Sequence, residues 1–87
     1  YEREIEDYDQ AIRLDPQLAD AYNNRGVAYV YLGQYERAIE DFDEAIRLDP
    51  QLADAYNNRG VVYEWIGKSD EAARDFAKAK ELGFEAP

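Results

Sequence analysis

Apolar residues recur at three- and four-residue spacing in five stretches of this chain, and charged residues fill the positions between them. That spacing puts each apolar set on one face of a helix. In residues 1–14 the apolar face is Ile5, Tyr8, Ala11, Ile12 and Leu14, with Glu2, Glu6, Asp9 and Arg13 turned to water. Pro16 ends this helix, because it disfavours helical dihedrals at Asp15. A second helix is expected from about Leu18 to Leu32, with Ala21, Tyr22, Gly26, Tyr29 and Leu32 as its inner stripe. Gly26 costs about 1 kcal/mol relative to Ala inside a helix, so it implies a neighbour that comes too close for a side chain. Gly33 suits the left-handed conformation that closes a helix. The third helix runs from about Tyr35 to Leu48, with Ala38, Ile39, Phe42, Ala45 and Ile46 inward, and Asp49-Pro50 stops it. The fourth, about Leu52 to Ile66, repeats the second. The fifth, about Ser69 to Leu82, offers Ser69 as a cap and Asp70 and Glu71 to the positive end of the helix dipole.

The pattern is itself periodic. Residues 1–34 and 35–68 are identical at 26 of 34 positions, and Ala11–Val27 returns unchanged as Ala45–Val61. A period of this length marks stacked supersecondary units. Identity this high fits a recent duplication or an engineered repeat.

The positions within each unit resemble the tetratricopeptide repeat. Tyr22, Gly26, Tyr29, Ala38, Phe42, Ala45 and Pro50 match one full unit, and Tyr56, Gly60, Tyr63, Ala72, Phe76 and Ala79 match a second. Tyr8, Ala11 and Pro16 match the latter half of a unit. The resemblance implies an all-α fold, an α-solenoid of about five helices in antiparallel pairs coiled as a right-handed superhelix. The expected division is 1–16 as the second helix of a truncated repeat, 17–50 and 51–84 as full repeats, and 85–87 as a tail, all one domain. Three departures stand out. Arg25 and Arg59 occupy a place where the family most often has Leu. Their stems are expected to pack while their heads reach helix carboxylates, with Asp7 and Asp41 as the candidate partners. Glu4 replaces the small residue seen at Ala38 and Ala72. Ile39 and Ile46 become Ala73 and Lys80, and Phe84 replaces the closing Pro. This suggests an array that ends after the fifth helix and enters at Tyr1 in mid-repeat.

Charge then narrows the partners. The net charge is −10. It repels phosphate backbones and anionic membrane surfaces, so neither nucleic acid nor membrane is an expected partner. No apolar run approaches the roughly 20 residues of a spanning helix. Cysteine is absent, which fits a reducing compartment and favours the cytoplasm. Histidine and threonine are absent too, and Ser69 is the lone serine, so no nucleophile–base pair can be assembled. No enzyme activity, catalytic residue or cofactor is expected. Asp7-Tyr8-Asp9 and Asp41-Phe42-Asp43 superficially resemble a calcium loop, but Ile12 and Leu18 stand where it needs Gly and Glu, so no metal is assigned.

The function implied by the resemblance is a protein-interaction scaffold. It holds an extended or helical peptide in the concave groove lined by the first helix of each repeat. The candidate groove residues are Asp20, Asn23, Asn24, Val27, Tyr31, Asp54, Asn57, Asn58, Val61, Glu64 and Trp65, with Val30 beside them. Asn can grip a peptide backbone with a donor and an acceptor. Asn24 and Asn58 match an Asn of relatives that bind chaperone C-termini. The basic residues those relatives need are not in place, since Asp20, Asn23, Asp54 and Asn58 stand there. The acids favour a basic protein or peptide instead. The six aromatics Tyr22, Tyr29, Tyr56, Tyr63, Phe42 and Phe76 are expected in the core. An alternative is a structural role without a separate ligand, with homo-oligomers forming through the truncated N-terminal face.

Overall fold

The computed structural model describes residues 1–85 and contains five helices: α1 (Glu2–Leu14), α2 (Ala19–Tyr31), α3 (Tyr35–Leu48), α4 (Ala53–Trp65) and α5 (Ser69–Glu81). Each lies within a residue or two of the stretch marked by its apolar spacing. Residues 86–87 of the expected tail lie outside the described residues.

Two kinds of turn join the helices. After α2 the chain closes with Gly33 at φ 74°. The N–H of Gln34 donates to the carbonyl of Tyr29, and the N–H of Gly33 to that of Val30, each at 2.9 Å. This paired closure satisfies carbonyls left over at a helix end and needs a residue tolerant of positive φ. Gly67 repeats it at φ 85°. After α1 and α3 an Asp-Pro-Gln turn is used. The Asp15 carboxylate accepts the N–H of Gln17 at 3.0 Å, and Asp49 that of Gln51 at 3.1 Å. Ser69 does not cap: it is the first helical residue of α5, and no side chain caps that end.

α2 pairs with α3 and α4 with α5. α1 packs on α2, α3 on α4, and α2 also touches α4. The second helices α1, α3 and α5 have no backbones as close to one another as these. First helices in contact and second helices apart bend the stack, with α2 and α4 on its inner side. The core is built mainly of small residues: Ala38, Ala45, Ala55, Ala72 and Ala79 are buried, and Ala38 clusters with Phe42 and Val62. Ile39, Val27, Val30, Tyr29 and Tyr35 pack against it.

The glycine inside each first helix explains the tight pairing. A Cβ on Gly26 would lie 2.6 Å from the Phe42 ring, and one on Gly60 2.9 Å from Phe76. Only a bare backbone fits there. The tyrosines flanking each glycine are less deeply placed than expected, although Tyr29 packs against the Phe42 cluster. Tyr22, Tyr29, Tyr56 and Tyr63 are half-buried, because each offers a ring face to an arginine.

Candidate functional site

The arginines set the spacing of the helices that surround the site. The Arg25 guanidinium lies 5.5 Å from the Tyr22 ring centre and 5.9 Å from that of Tyr29. From this slot its Nε and Nη2 donate to both carboxylate oxygens of Asp41 on α3, at 2.8 and 2.7 Å. Its Nη1 donates to Asp9 on α1 at 2.9 Å. One side chain thus ties three helices, and Asp41, only 5% exposed, has its charge matched. The hydrogen bonds it donates to Asp41, opposed in part by burial, hold the Arg25 pKa above its already high ordinary value. Arg59 repeats the device on α4, donating twice to Asp75 and once to Asp43. The expected partner Asp41 is therefore found and Asp7 is not. Asp9, two positions on, faces α2 in its place, because residues two apart on a helix point in different directions.

Between α2 and α4 lies a cleft of about 330 Å3 lined by Val27, Val30, Tyr31, Tyr35, Phe42, Asn58, Val61, Val62 and Trp65. Phe42 and Val62 are fully buried, and Tyr31 and Trp65 are 64% and 58% exposed. Two aromatic pairs stand nearby. Tyr1 stacks on Tyr31 with ring centres 4.7 Å apart, and Tyr35 tilts on Trp65 at 5.9 Å. Asn58 Nδ2 donates to Asn23 Oδ1 at 3.1 Å, joining α4 to α2. The lining is mostly apolar, with the Asn58 amide, the Tyr31 and Tyr35 hydroxyls and the Trp65 indole N–H as its polar groups, so the cleft suits an aliphatic or aromatic group with a few polar contacts.

A TPR-repeat model matches residues 1–33 and 28–67, and a tetratricopeptide-repeat model matches residues 52–83. The chain belongs to the tetratricopeptide repeat family. No curated protein sequence matches it. Among solved structures it is similar to MamA, with 37% identity and a TM-score of 0.86 over 90% of this chain and 46% of that one. The chain thus spans about half the length of MamA. It is also similar to the second TPR of Spaghetti (RPAP3) bound to HSP90 peptide SRMEEVD, with 38% identity, a TM-score of 0.91, and 94% and 76% coverage. A third similar structure is the Arabidopsis OM64 TPR domain, with 33% identity, a TM-score of 0.89, and 91% and 65% coverage.

In this tetratricopeptide repeat the eleven candidate residues divide into groups. Val27, Tyr31, Asn58, Val61 and Trp65 come together in the α2–α4 cleft, with Val30. Asp20, Asp54 and Glu64 are exposed on the same two helices but do not line it. Asn23 is buried, and its carbonyl oxygen is taken by Asn58. Asn24, its neighbour, is exposed. Asn57 lines a different cleft with Phe76, Lys80, Gly83, Phe84 and Glu85. The sequence reading missed Tyr35, Phe42 and Val62. Tyr35 was read only as the start of the third helix, and Phe42 only as core. Its equivalence to Tyr1, one period earlier, was the signal that both serve a junction.

Among the described residues no helix is long and apolar enough to cross a membrane, and no group of three or more acidic, His or Cys side chains could hold a metal ion.

Proposed function

We propose that this tetratricopeptide repeat is a protein-interaction module, not an enzyme, and that it binds a peptide or helical segment along α2 and α4. The observation that carries this reading is the α2–α4 cleft, where Tyr31 and Trp65 remain largely exposed beside Val27, Val30 and Val61. Large exposed apolar side chains clustered around a concavity mark a recognition surface. An apolar side chain of the partner enters the cleft. The Asn58 groups left free by Asn23 meet its backbone.

Charge supports a partner unlike the acidic peptide held by Spaghetti. Asp20, Asp54 and Glu64 are exposed on the same two helices, and the chain carries a net charge of −10. The segment bound is therefore basic on its flanks and apolar at its centre. A peptide array probed with the native chain and with a Tyr31→Ala/Trp65→Ala variant tests this, with circular dichroism as the check on folding. Selective loss of apolar-centred basic peptides is expected. Identical profiles for the two proteins would reject the cleft as the site. Binding to basic peptides should also weaken as salt rises.

A further inference from the structure

The polar groups of the α2–α4 cleft are mostly donors. The Trp65 indole N–H can only donate. The Asn58 amide gives one N–H to Asn23 and keeps the other. The Tyr31 and Tyr35 hydroxyls can each donate as well as accept. No carboxylate lines the cleft, and the Asn58 carbonyl is its one side-chain group that only accepts. An ordinary extended peptide brings an N–H for every carbonyl, so half of its backbone groups would meet few acceptors here. Proline brings the carbonyl and no N–H. The aromatic walls are also braced before any ligand arrives. Tyr31 stacks on Tyr1 with ring centres 4.7 Å apart, and Trp65 leans on Tyr35 at 5.9 Å. Tyr31 and Trp65 hold equivalent places one repeat apart, on two helices that touch.

We propose that the segment held in this cleft is proline-rich, bound in the polyproline II conformation with a basic residue beside it. The inference rests on the reading of the cleft as a peptide site and names the class of peptide. Prolines three apart fall on one edge of a polyproline II helix, about 9 Å from each other. Packed helices have axes about 8–10 Å apart, so two such prolines match one aromatic on α2 and one on α4. One proline ring lies on Tyr31 and the other on Trp65, with Val27 and Val61 beneath. The carbonyls between them accept from the Trp65 indole and the free Asn58 N–H. The ligand is already extended and the rings are already braced, so binding orders little on either side. Glu64, next to Trp65 on α4, is exposed, whereas Val30 holds the equivalent place on α2 and lines the cleft. The basic residue therefore flanks the proline that meets Trp65.

Trp65 is the only tryptophan of the chain, so its fluorescence reports on the cleft without a label. The probe is a run of about nine prolines, three turns of the helix, with a lysine at each end. The control has the same length and the same lysines, with leucine and alanine in place of the prolines. The proline peptide should shift the Trp65 emission saturably and bind at least about tenfold more tightly than the control. Tyr31→Ala should weaken it about tenfold, with circular dichroism showing the helices intact, while Tyr31→Phe keeps the ring face and should lose no more than about threefold. Glu64→Gln should flatten the dependence of binding on salt. Control binding that equals or exceeds that of the proline peptide overturns the proposal and leaves the peptide site standing. So does a proline peptide that binds equally well to the native chain and to Tyr31→Ala. If calorimetry shows that Tyr31→Ala/Trp65→Ala alters binding of neither peptide, the cleft is not the site and the proposal falls with it.

Discussion

The pairs α2–α3 and α4–α5 share the Gly–Phe contact and the Arg–Asp tie, although Tyr35 and Ile39 of the first become Ser69 and Ala73 in the second; Phe42 has no exposed surface and Phe76 keeps some. The residue, the glycine it meets and the arginine beside it are the same. The next layer differs as well. α4 packs on α3 beside Phe42, whereas Phe76 opens onto the cleft with Asn57, Lys80 and Phe84. The arginine ties differ in the same sense: Asp9 is 39% exposed and Asp43 53%. A repeat unit therefore does not own its stability. Part of it resides in the contact with its neighbour, as expected of a quasi-one-dimensional stack.

The comparison is broken most severely at the phenylalanines. Phe42→Ala should cost about 4 kcal/mol, the usual range for a fully buried ring, and Phe76→Ala about half of that. Urea unfolding of the two variants reads the difference, and equal costs would mean that α4 adds nothing to the Phe42 site. Next come the arginines. Arg25→Ala leaves the buried Asp41 unpaired and should cost about 3 kcal/mol, while Arg25→Leu/Asp41→Leu should recover much of that loss. A double variant no better than the single one would assign the loss to the Tyr22 and Tyr29 contacts instead. Gly26→Ala forces its methyl into the Phe42 ring and should cost about 2 kcal/mol. Gly60→Ala should cost less, since Phe76 has an open side to move into. Asp43→Ala removes one exposed arm of the Arg59 tie and should change stability by about 0.5 kcal/mol, with the effect fading in high salt. The smallest effect is in alkali. Burial raises the Tyr63 pKa from its ordinary value, so the fold favours the neutral phenol. Stability from this group is present below the pKa of the unfolded chain and is lost as pH rises through the folded value. The fall in Tm above about pH 10 should be shallower in Tyr63→Phe.

Element boundaries were legible from the sequence because two strong signals coincided: apolar spacing along each helix and a chain period that repeated Asp15-Pro16 as Asp49-Pro50 and Gly33 as Gly67. Gly26 announced a close approach, and the Phe42 ring is what approaches. Ser69 misled, because a capping residue type does not say which residue begins the helix, and α5 begins at Ser69 itself. The tyrosines misled for another reason. Spacing shows which residues face a neighbouring helix but not that an arginine will fill the space between two rings. Val27, Tyr31, Asn58, Val61 and Trp65 were named together and meet in one cleft. Asn23 and Asn57 were named with them, but Asn23 is buried under Asn58 between α2 and α4, and Asn57 lines the second cleft beside Phe76, because the neighbouring helix and not the spacing decides what covers each side chain.

By itself the sequence determined five helices, their turns, their pairing and their family, since each of these is a matter of spacing and chain period. Only the tertiary structure decided which of Asp7 and Asp9 meets Arg25, which Asn of each pair is taken up between helices, and how deeply two identical phenylalanines are buried. Those outcomes depend on side chains that lie 16 or 35 residues apart in the chain. Their distance and angle are set by the packing of whole helices.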